Sequence, residues 1–194
     1  MDHNPDALFE AAESGDVEAV TRCLEAGADV SALNEVGETP LIVAATKGHT
    51  AVCQVLLAYG ADVHACDDYG FTPLISAVEG FHLETARALL DWRADPNTRS
   101  SDGMPILCFP LLYDNSLPMV ALFLERGANP NLQDNEGFTP LHEAISEPEV
   151  VRLLLHHGAD PSLANNKGVT PVQWAWENCD HETAEILEAA IAKR

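Results

Sequence analysis

The sequence predicts an all-α fold, a solenoid of short helix pairs joined by projecting turns. A Gly-x-Thr-Pro motif recurs along the 194 residues, and a Gly-Ala-Asp-like motif recurs beside it at intervals close to 33 residues. The spacing from the second motif to the first is constant, whereas the stretch after each Thr-Pro varies in length. Self-similarity at such a period indicates a repeat architecture in which each unit packs on its neighbours.

The Gly-x-Thr-Pro motif marks the start of the first helix in a unit. Thr39-Pro40 is its first copy, and the others are Thr72-Pro73, Thr139-Pro140 and Thr170-Pro171. Thr is a favourable N-cap, and Pro is tolerated at the first helical position because no intrahelical hydrogen bond is lost there. In the second unit we expect helices from Pro40 to Thr46 and from Thr50 to Tyr59.

The second motif marks the end of the second helix, where Gly60 is expected to adopt a left-handed conformation. Ten residues separate the first residue of this motif from the residue that begins the next Gly-x-Thr-Pro position, in all five copies. The copies begin at Gly27, Gly60, Arg93, Gly127 and Gly158. We therefore expect turns of fixed length that pair side by side.

These motifs resemble the ankyrin repeat, whose units combine a turn and two helices with a Thr-Pro-Leu-His tetrapeptide about every 33 residues. The resemblance covers nearly the whole chain and implies one domain over residues 1–194. Its units are a cap at 1–33, repeats at 34–66, 67–99, 100–132 and 133–164, and a cap at 165–194. The first cap is expected to pack around Leu8, Ala11, Ala12, Val20 and Leu24.

The fourth unit departs furthest from the pattern. Pro105 stands where Thr is expected, and Pro110 falls inside the first helix. An interior proline costs a helix about 3 kcal/mol or kinks it, so we expect this helix to be short or bent. In the next unit, His142 keeps the histidine of the tetrapeptide, and the resemblance implies that it bonds to the backbone.

The composition limits the classes of partner. Thirty-one acidic and ten basic residues give a formal net charge of −21, so nucleic acid and anionic membrane surfaces are expected to repel the chain. Five cysteines without a Cys-x-x-Cys pair predict neither a disulfide framework nor a zinc site, and favour the reducing cytoplasm. The apolar run from Met104 to Leu124 is interrupted by three prolines, which argues against a membrane span.

Candidate catalytic and metal sites have simpler structural explanations. His142-Glu143 lacks the second histidine of a zinc-protease helix, and Cys179 and His181 are too close in sequence for an ordinary nucleophile and base. We expect no catalytic residue, no metal ligand and no cofactor. The alternative is a small-molecule or catalytic pocket in the irregular fourth repeat, around Cys108 and Tyr113.

The resemblance implies that a partner protein contacts the turn tips and the concave face of the first helices. The matching residues are Glu35, Val36, Glu38, Asp68, Tyr69, Phe71, Asp102, Met104, Phe109, Glu136, Phe138 and Trp174. Aromatic anchors among carboxylates suit a binding hot spot surrounded by steering charges. The alternative is that each Phe covers the neighbouring turn and that Trp174 packs on the terminal repeat.

The predicted function is a non-enzymatic protein-binding module, monomeric when free, that acts as an adaptor, inhibitor or immunity-type protein. The charge favours a partner with a basic surface, for instance an enzyme that binds nucleic acid. A further hypothesis is modification. The resemblance places Asn97 and Asn131 at the turn position that asparaginyl hydroxylases modify in similar eukaryotic repeats.

Overall fold

The computed structural model describes residues 5–113 and 116–193, in which short helices alternate with turns. These residues form eleven α-helices and one 3₁₀ helix. Within the described ranges there is no β-strand, only an isolated bridge between Arg99 and Pro105. The all-α class and the helix-pair architecture are confirmed. The chain divides into two compact units between Asp95 and Pro96, and one domain over 1–194 stays a prediction.

The N-terminal unit contains three helix pairs. Its helices, α1 to α6, span Pro5–Ser14, Val17–Glu25, Pro40–Thr46, Thr50–Ala58, Pro73–Glu79 and Leu83–Asp91. The first helices of the pairs pack together, α3 against both α1 and α5, and the second helices do the same, α4 against α2 and α6. The unit is thus built from two helix layers.

The C-terminal unit begins with the 3₁₀ helix, Ile106–Leu112. The helices that follow, α7 to α11, span Leu117–Glu125, Pro140–Glu143, Pro148–His156, Pro171–Glu177 and His181–Ile191. The 3₁₀ helix packs on α8 and α8 on α10, while α9 packs on both α7 and α11. This unit has the same two-layer arrangement.

Threonine caps start the first helices as predicted. Thr39 Oγ1 accepts a hydrogen bond from Ile42 N at 3.2 Å, and Thr72 and Thr170 cap α5 and α10 in the same way. The bounds of α3 agree with the prediction, whereas α4 ends at Ala58, one residue earlier than expected. The residue after it, Tyr59, is the C-cap.

Pro110 changes the winding of the first helix in the fourth repeat. In an α-helix its ring would clash with the carbonyl group of Ile106, four residues earlier. Residues 106–112 instead form a 3₁₀ helix, beginning with a hydrogen bond of 2.8 Å from Cys108 N to Pro105 O. The sequence predicted a short or bent helix, but the helix found has seven residues, as many as α3, and departs from an α-helix in its winding instead. In the next repeat α8 is only four residues long.

The apolar core lies between the two helix layers of each unit. All five residues predicted for the N-terminal cap are buried, from Leu8 to Leu24. Cys53 joins this core, and burial raises the pKa of its thiol to about 12. Among the described residues, no helix combines the length and apolar character needed to cross a membrane.

Candidate functional site

A polar side chain shapes the tip of each turn. Asn34 Oδ1 accepts hydrogen bonds from Val36 N at 3.1 Å and from Glu38 N at 2.9 Å. The same two bonds are made by Asp67, Asp134 and Asn165. This pattern fixes the backbone without help from neighbouring repeats, since Asn and Asp readily bond to their own turn.

Neighbouring turns pair within each unit. Asp68 N donates to Val36 O at 3.4 Å, and Asn166 N donates to Glu136 O at 2.9 Å. The approach is close, because a Cβ added to Gly137 would lie 2.7 Å from Asn166 N. The predicted side-by-side pairing is confirmed, and it explains why the segment length does not vary.

The six candidate residues of the N-terminal unit lie on or beside these turn tips. Glu35 and Asp68 are exposed, and Val36 and Tyr69 are exposed by 42% and 64%. Phe71 is half-buried. Glu38 is also half-buried, and its Oε2 accepts a hydrogen bond from Asn34 Nδ2 at 2.7 Å.

A cleft of about 570 Å³ lies between α1, α3 and the first turn. Its apolar surface comes from Phe9, Leu33 and Val43. Carboxylates surround that surface, namely Asp6, Glu10, Glu13, Glu35 and Glu38. Lys47 also lines it, with Nζ 3.0 Å from Glu13 Oε1.

A second cleft, of about 430 Å³, shares Glu38 and Thr46 with the first. Its other lining residues are Asp67, Tyr69, Phe71, Ser76, Glu79 and Gly80. Burial raises the pKa of the Glu79 carboxyl group above its ordinary value. We refer to the two adjoining clefts together as the acidic groove.

The candidate aromatic residues of the C-terminal unit are more enclosed. The Phe138 ring packs edge-on against His142, at a centroid distance of 5.3 Å, and against Trp174, at 5.1 Å. Phe109 lies in the 3₁₀ helix and is only 8% exposed. The contact between Phe138 and Trp174 is the one expected if Phe138 covers the neighbouring repeat.

The other candidates of this unit surround the turn tips. Asp102 and Glu136 are exposed, and Met104 is half-buried. Asn135 Nδ2 donates to Asp102 O, and Asn166 Nδ2 donates to Asn135 O at 2.9 Å. The amide side chain of each asparagine therefore donates to a backbone carbonyl of the preceding turn.

His142 is completely buried and links two repeats. Thr139 N donates to its Nδ1 at 3.0 Å, and its Nε2 lies 3.1 Å from Val169 O. These partners assign the proton to Nε2, since Nδ1 accepts and a carbonyl oxygen only accepts. Burial lowers the pKa of His142, so the ring is neutral and its role here is structural.

The alternative hypothesis placed a pocket around Cys108 and Tyr113. Cys108 is 2% exposed, and burial raises the pKa of its thiol far above the ordinary value. Neither residue lines the clefts described above. Among the residues described, no group of three or more His, Cys, Asp and Glu side chains is placed to hold a metal ion.

The two turn asparagines both connect repeats. Asn97 Oδ1 accepts a hydrogen bond from Asn129 N at 2.7 Å. Asn131 Oδ1 accepts from Asp160 N at 2.7 Å, and its Nδ2 donates to Gly158 O at 3.0 Å. Their modification stays a hypothesis.

Several residues of the groove were not predicted from the motifs, among them Glu10, Glu13 and Glu79. The repeat register is the sequence feature that could have identified them. Glu13, Thr46 and Glu79 stand 33 residues apart, and Glu10 stands 33 residues before Val43. Matching positions of adjacent repeats lie side by side, so the register predicts one row of side chains.

Comparison with known proteins agrees with this geometry. The family model described as ankyrin repeats (3 copies) matches residues 8–100 and 111–192. No curated protein matches the sequence significantly.

Similar solved structures cover nearly the whole chain. An ankyrin repeat domain from Acinetobacter baumannii AYE (ABAYE2397) has a TM-score of 0.88 and 29% identity over 94% of this chain and 96% of that one. The ankyrin repeat protein EF0377 has a TM-score of 0.85 and 26% identity, with coverages of 94% and 96%. The third structure is the Bd0816 predatory endopeptidase from Bdellovibrio bacteriovorus in complex with the immunity protein Bd3460. The matching chain has a TM-score of 0.82 and 27% identity, with coverages of 94% and 97%.

Proposed function

The chain belongs to the ankyrin-repeat family, whose repeats mediate protein–protein interaction, and on that premise we propose that it is a non-enzymatic module for a partner with a basic surface. The partner contacts the turn tips and the concave face of the first helices. The observation that carries this proposal is the acidic groove, where exposed apolar side chains stand among carboxylates. Apolar anchors supply binding energy, and the surrounding charges select and steer the partner.

Within this class we propose an inhibitor or immunity-type role. One of the similar structures contains an endopeptidase bound to its immunity protein. The net charge of −21 suits a cationic enzyme as target, with carboxylates occupying the places of its anionic ligand. An adaptor is the second candidate, since an adaptor uses the same kind of surface.

We also propose that the protein acts in the cytoplasm as a monomer when free. All five cysteines are free thiols, as expected in a reducing compartment. A high net charge of one sign opposes self-association.

The experiment is a pull-down from lysate of the source cells with the wild-type protein, Phe71→Ala and Phe138→Ala as baits. Captured proteins are identified by mass spectrometry at low and high salt. We expect a basic protein whose recovery falls as NaCl rises from about 50 to about 500 mM, because screening shortens the reach of steering charges. Recovery of the same proteins by all three baits would rule out the aromatic residues as contacts.

The inhibitor role has its own readout. If the captured protein is an enzyme, stoichiometric addition of the wild-type chain should abolish its activity. Unchanged activity in the complex would favour the adaptor.

A further inference from the structure

Residues at the same repeat position of the three first helices in the N-terminal unit line the acidic groove. Glu13 of α1, Thr46 of α3 and Glu79 of α5 follow one another at the repeat period and all line the two clefts. Packed helices are about 8 to 10 Å apart, so the row spans about 16 to 20 Å. An extended segment of about six residues covers that distance at about 3.3 Å per residue.

Large apolar side chains line the same groove. Leu33 and Tyr69 are each 64% exposed, the largest exposure among the big apolar residues described. Phe9, Val43 and Phe71 lie beside them in the lining and are half-buried. Single exposed apolar residues are ordinary, but residues that line one groove together provide an apolar surface that a ligand can cover.

The net charge of the groove lining is strongly negative. Its lining contains seven carboxylates, which are Asp6, Glu10, Glu13, Glu35, Glu38, Asp67 and Glu79. The one cationic side chain in that lining is Lys47, whose ammonium group pairs with Glu13. This pair shows that a carboxylate of the lining takes an ammonium group as its partner. Further cations would relieve the mutual repulsion of the remaining carboxylates.

Among the described residues of the C-terminal unit, the turn tips do not show this combination. Phe138 packs against Trp174, and Phe109 is buried. Arg99 Nη1 donates to Gly103 O at 2.8 Å and also to Gln133 O, which places a cation at the base of these turns. Lys167 adds a second, exposed cation. At the turn tips, the combination of strongly exposed apolar side chains and carboxylates therefore belongs to the N-terminal unit.

We propose that the acidic groove of the N-terminal unit binds a segment of the partner protein in which Lys or Arg residues are interspersed with apolar residues. The inference rests on the proposed function and assigns its contact to one unit. The apolar residues and the aliphatic stems of the basic residues cover Leu33, Phe9 and Tyr69, and the charged heads reach Glu10 and Glu79.

The test is selection from a phage-displayed library of random peptides of about twelve residues, long enough to exceed the row. The immobilised baits are the full-length wild type, a groove double variant, Glu10→Gln with Glu79→Gln, and a control, Glu18→Gln with Glu25→Gln. Both doubles change the charge equally, and the control residues are exposed on α2, outside the groove lining.

We expect the wild type and the control to enrich peptides that contain both Lys or Arg and large apolar residues. The groove variant should lose that enrichment, and its Kd for the best peptide should rise about tenfold, since two charge contacts of modest strength are removed. Leu33→Ser with Tyr69→Ser should weaken the same peptide although the charge is unchanged.

The proposal is overturned if no basic apolar sequence is enriched. It is also overturned if the groove variant and the control lose affinity equally, which would make the binding a net-charge effect. Failure here is separable from failure of the proposed function, because the same groove variant can be used as bait for the cellular partner. If the groove variant captures that partner as well as the wild type does, the proposed binding function stands and the contact lies outside the acidic groove.

Discussion

His142 Nε2 lies 3.1 Å from Val169 O, and this buried, neutral ring joins the repeat at residues 133–164 to the C-terminal cap. The other ring nitrogen, Nδ1, accepts from Thr139 N, so both sides of the imidazole are used in the neutral form. Protonation would remove the acceptor and place a charge in the core. This links the stability of the C-terminal unit to pH.

The first prediction follows from the lowered pKa of His142, whose main cause is burial, opposed by the Val169 carbonyl and the charge of Asp134. Below about pH 6.5, the ordinary value, the unfolded chain binds a proton that the folded one resists. The contribution of the neutral His142 ring to the free energy of unfolding is therefore present above that pH and is lost as the pH falls. As the pH is lowered from about 7 to about 5, the melting temperature of the wild type should fall more steeply than that of His142→Gln.

Gln is the matched replacement because Gln173 makes the equivalent bond in the terminal cap, with Thr170 N donating to its Oε1 at 2.9 Å. The variant also retains Glu143, a carboxyl group whose raised pKa acts in the opposite direction. Parallel pH profiles for the two proteins would contradict the structural role assigned to the neutral imidazole.

The second prediction concerns Arg93, which has a φ of 69° at the position occupied by Gly60 one repeat earlier. A side chain in the left-handed region costs about 1 kcal/mol or more, so Arg93→Gly should raise the free energy of unfolding by about 1 kcal/mol. The reciprocal change, Gly60→Ala, should lower it similarly, because a Cβ there meets nothing within 4 Å and only the backbone is strained. Urea unfolding measures both, and a destabilised Arg93→Gly protein would show that the arginine side chain makes a compensating contact.

The third prediction separates close approach from backbone strain. Gly137 also has positive φ, and a Cβ there would lie 2.7 Å from Asn166 N and 2.9 Å from Asn165 Cα. Backbone atoms cannot move aside without disturbing the turn pairing. Gly137→Ala should therefore cost about 2 kcal/mol or more in the same urea assay, compared with about 1 kcal/mol for Gly60→Ala. Equal costs would mean that the turns do not approach as closely as the structure has them.

The fourth prediction tests the alternative of a reactive pocket. Cys66 and Cys179 are exposed, whereas Cys53 and Cys108 are buried and have raised pKa values. Because the thiolate is the nucleophile, iodoacetamide should label the exposed pair in the folded protein and the buried pair only after denaturation. Peptide mapping after a time course gives the order of labelling. Early modification of Cys108 would support the alternative of a reactive pocket around Cys108 and Tyr113.

Much of the fold could be predicted because its signals are local. The Thr39-Pro40 cap and the turn at Lys47-Gly48 specify α3 through chemistry contained in a few residues. Pro110 predicted a departure from a regular α-helix for the same reason, although as a short or bent helix. Its 3₁₀ winding was not predictable, since the space left by α7 and α8 decides whether such a helix kinks or rewinds.

The candidate site was harder to predict because it depends on packing. Phe109 was assigned to the concave face of the first helices because it aligns with Val43, but a 3₁₀ helix turns about 120° per residue instead of about 100°, so equal positions need not share a face. Glu10 and Glu13 were missed because they lie outside the Gly-x-Thr-Pro motif, in the cap that lacks one. The repeat register places them in line with Val43 and Thr46, and the packing of α1 on α3 shows that they and Glu38 enclose one cleft.

The most direct measurement is a comparative pull-down from lysate with three baits, namely the wild type, Glu10→Gln with Glu79→Gln, and Glu18→Gln with Glu25→Gln. We predict that the wild type and the Glu18/Glu25 control recover the same protein, rich in Lys and Arg, and that the groove variant recovers several-fold less. Recovery of a neutral or acidic protein in equal amounts by all three baits would contradict the account.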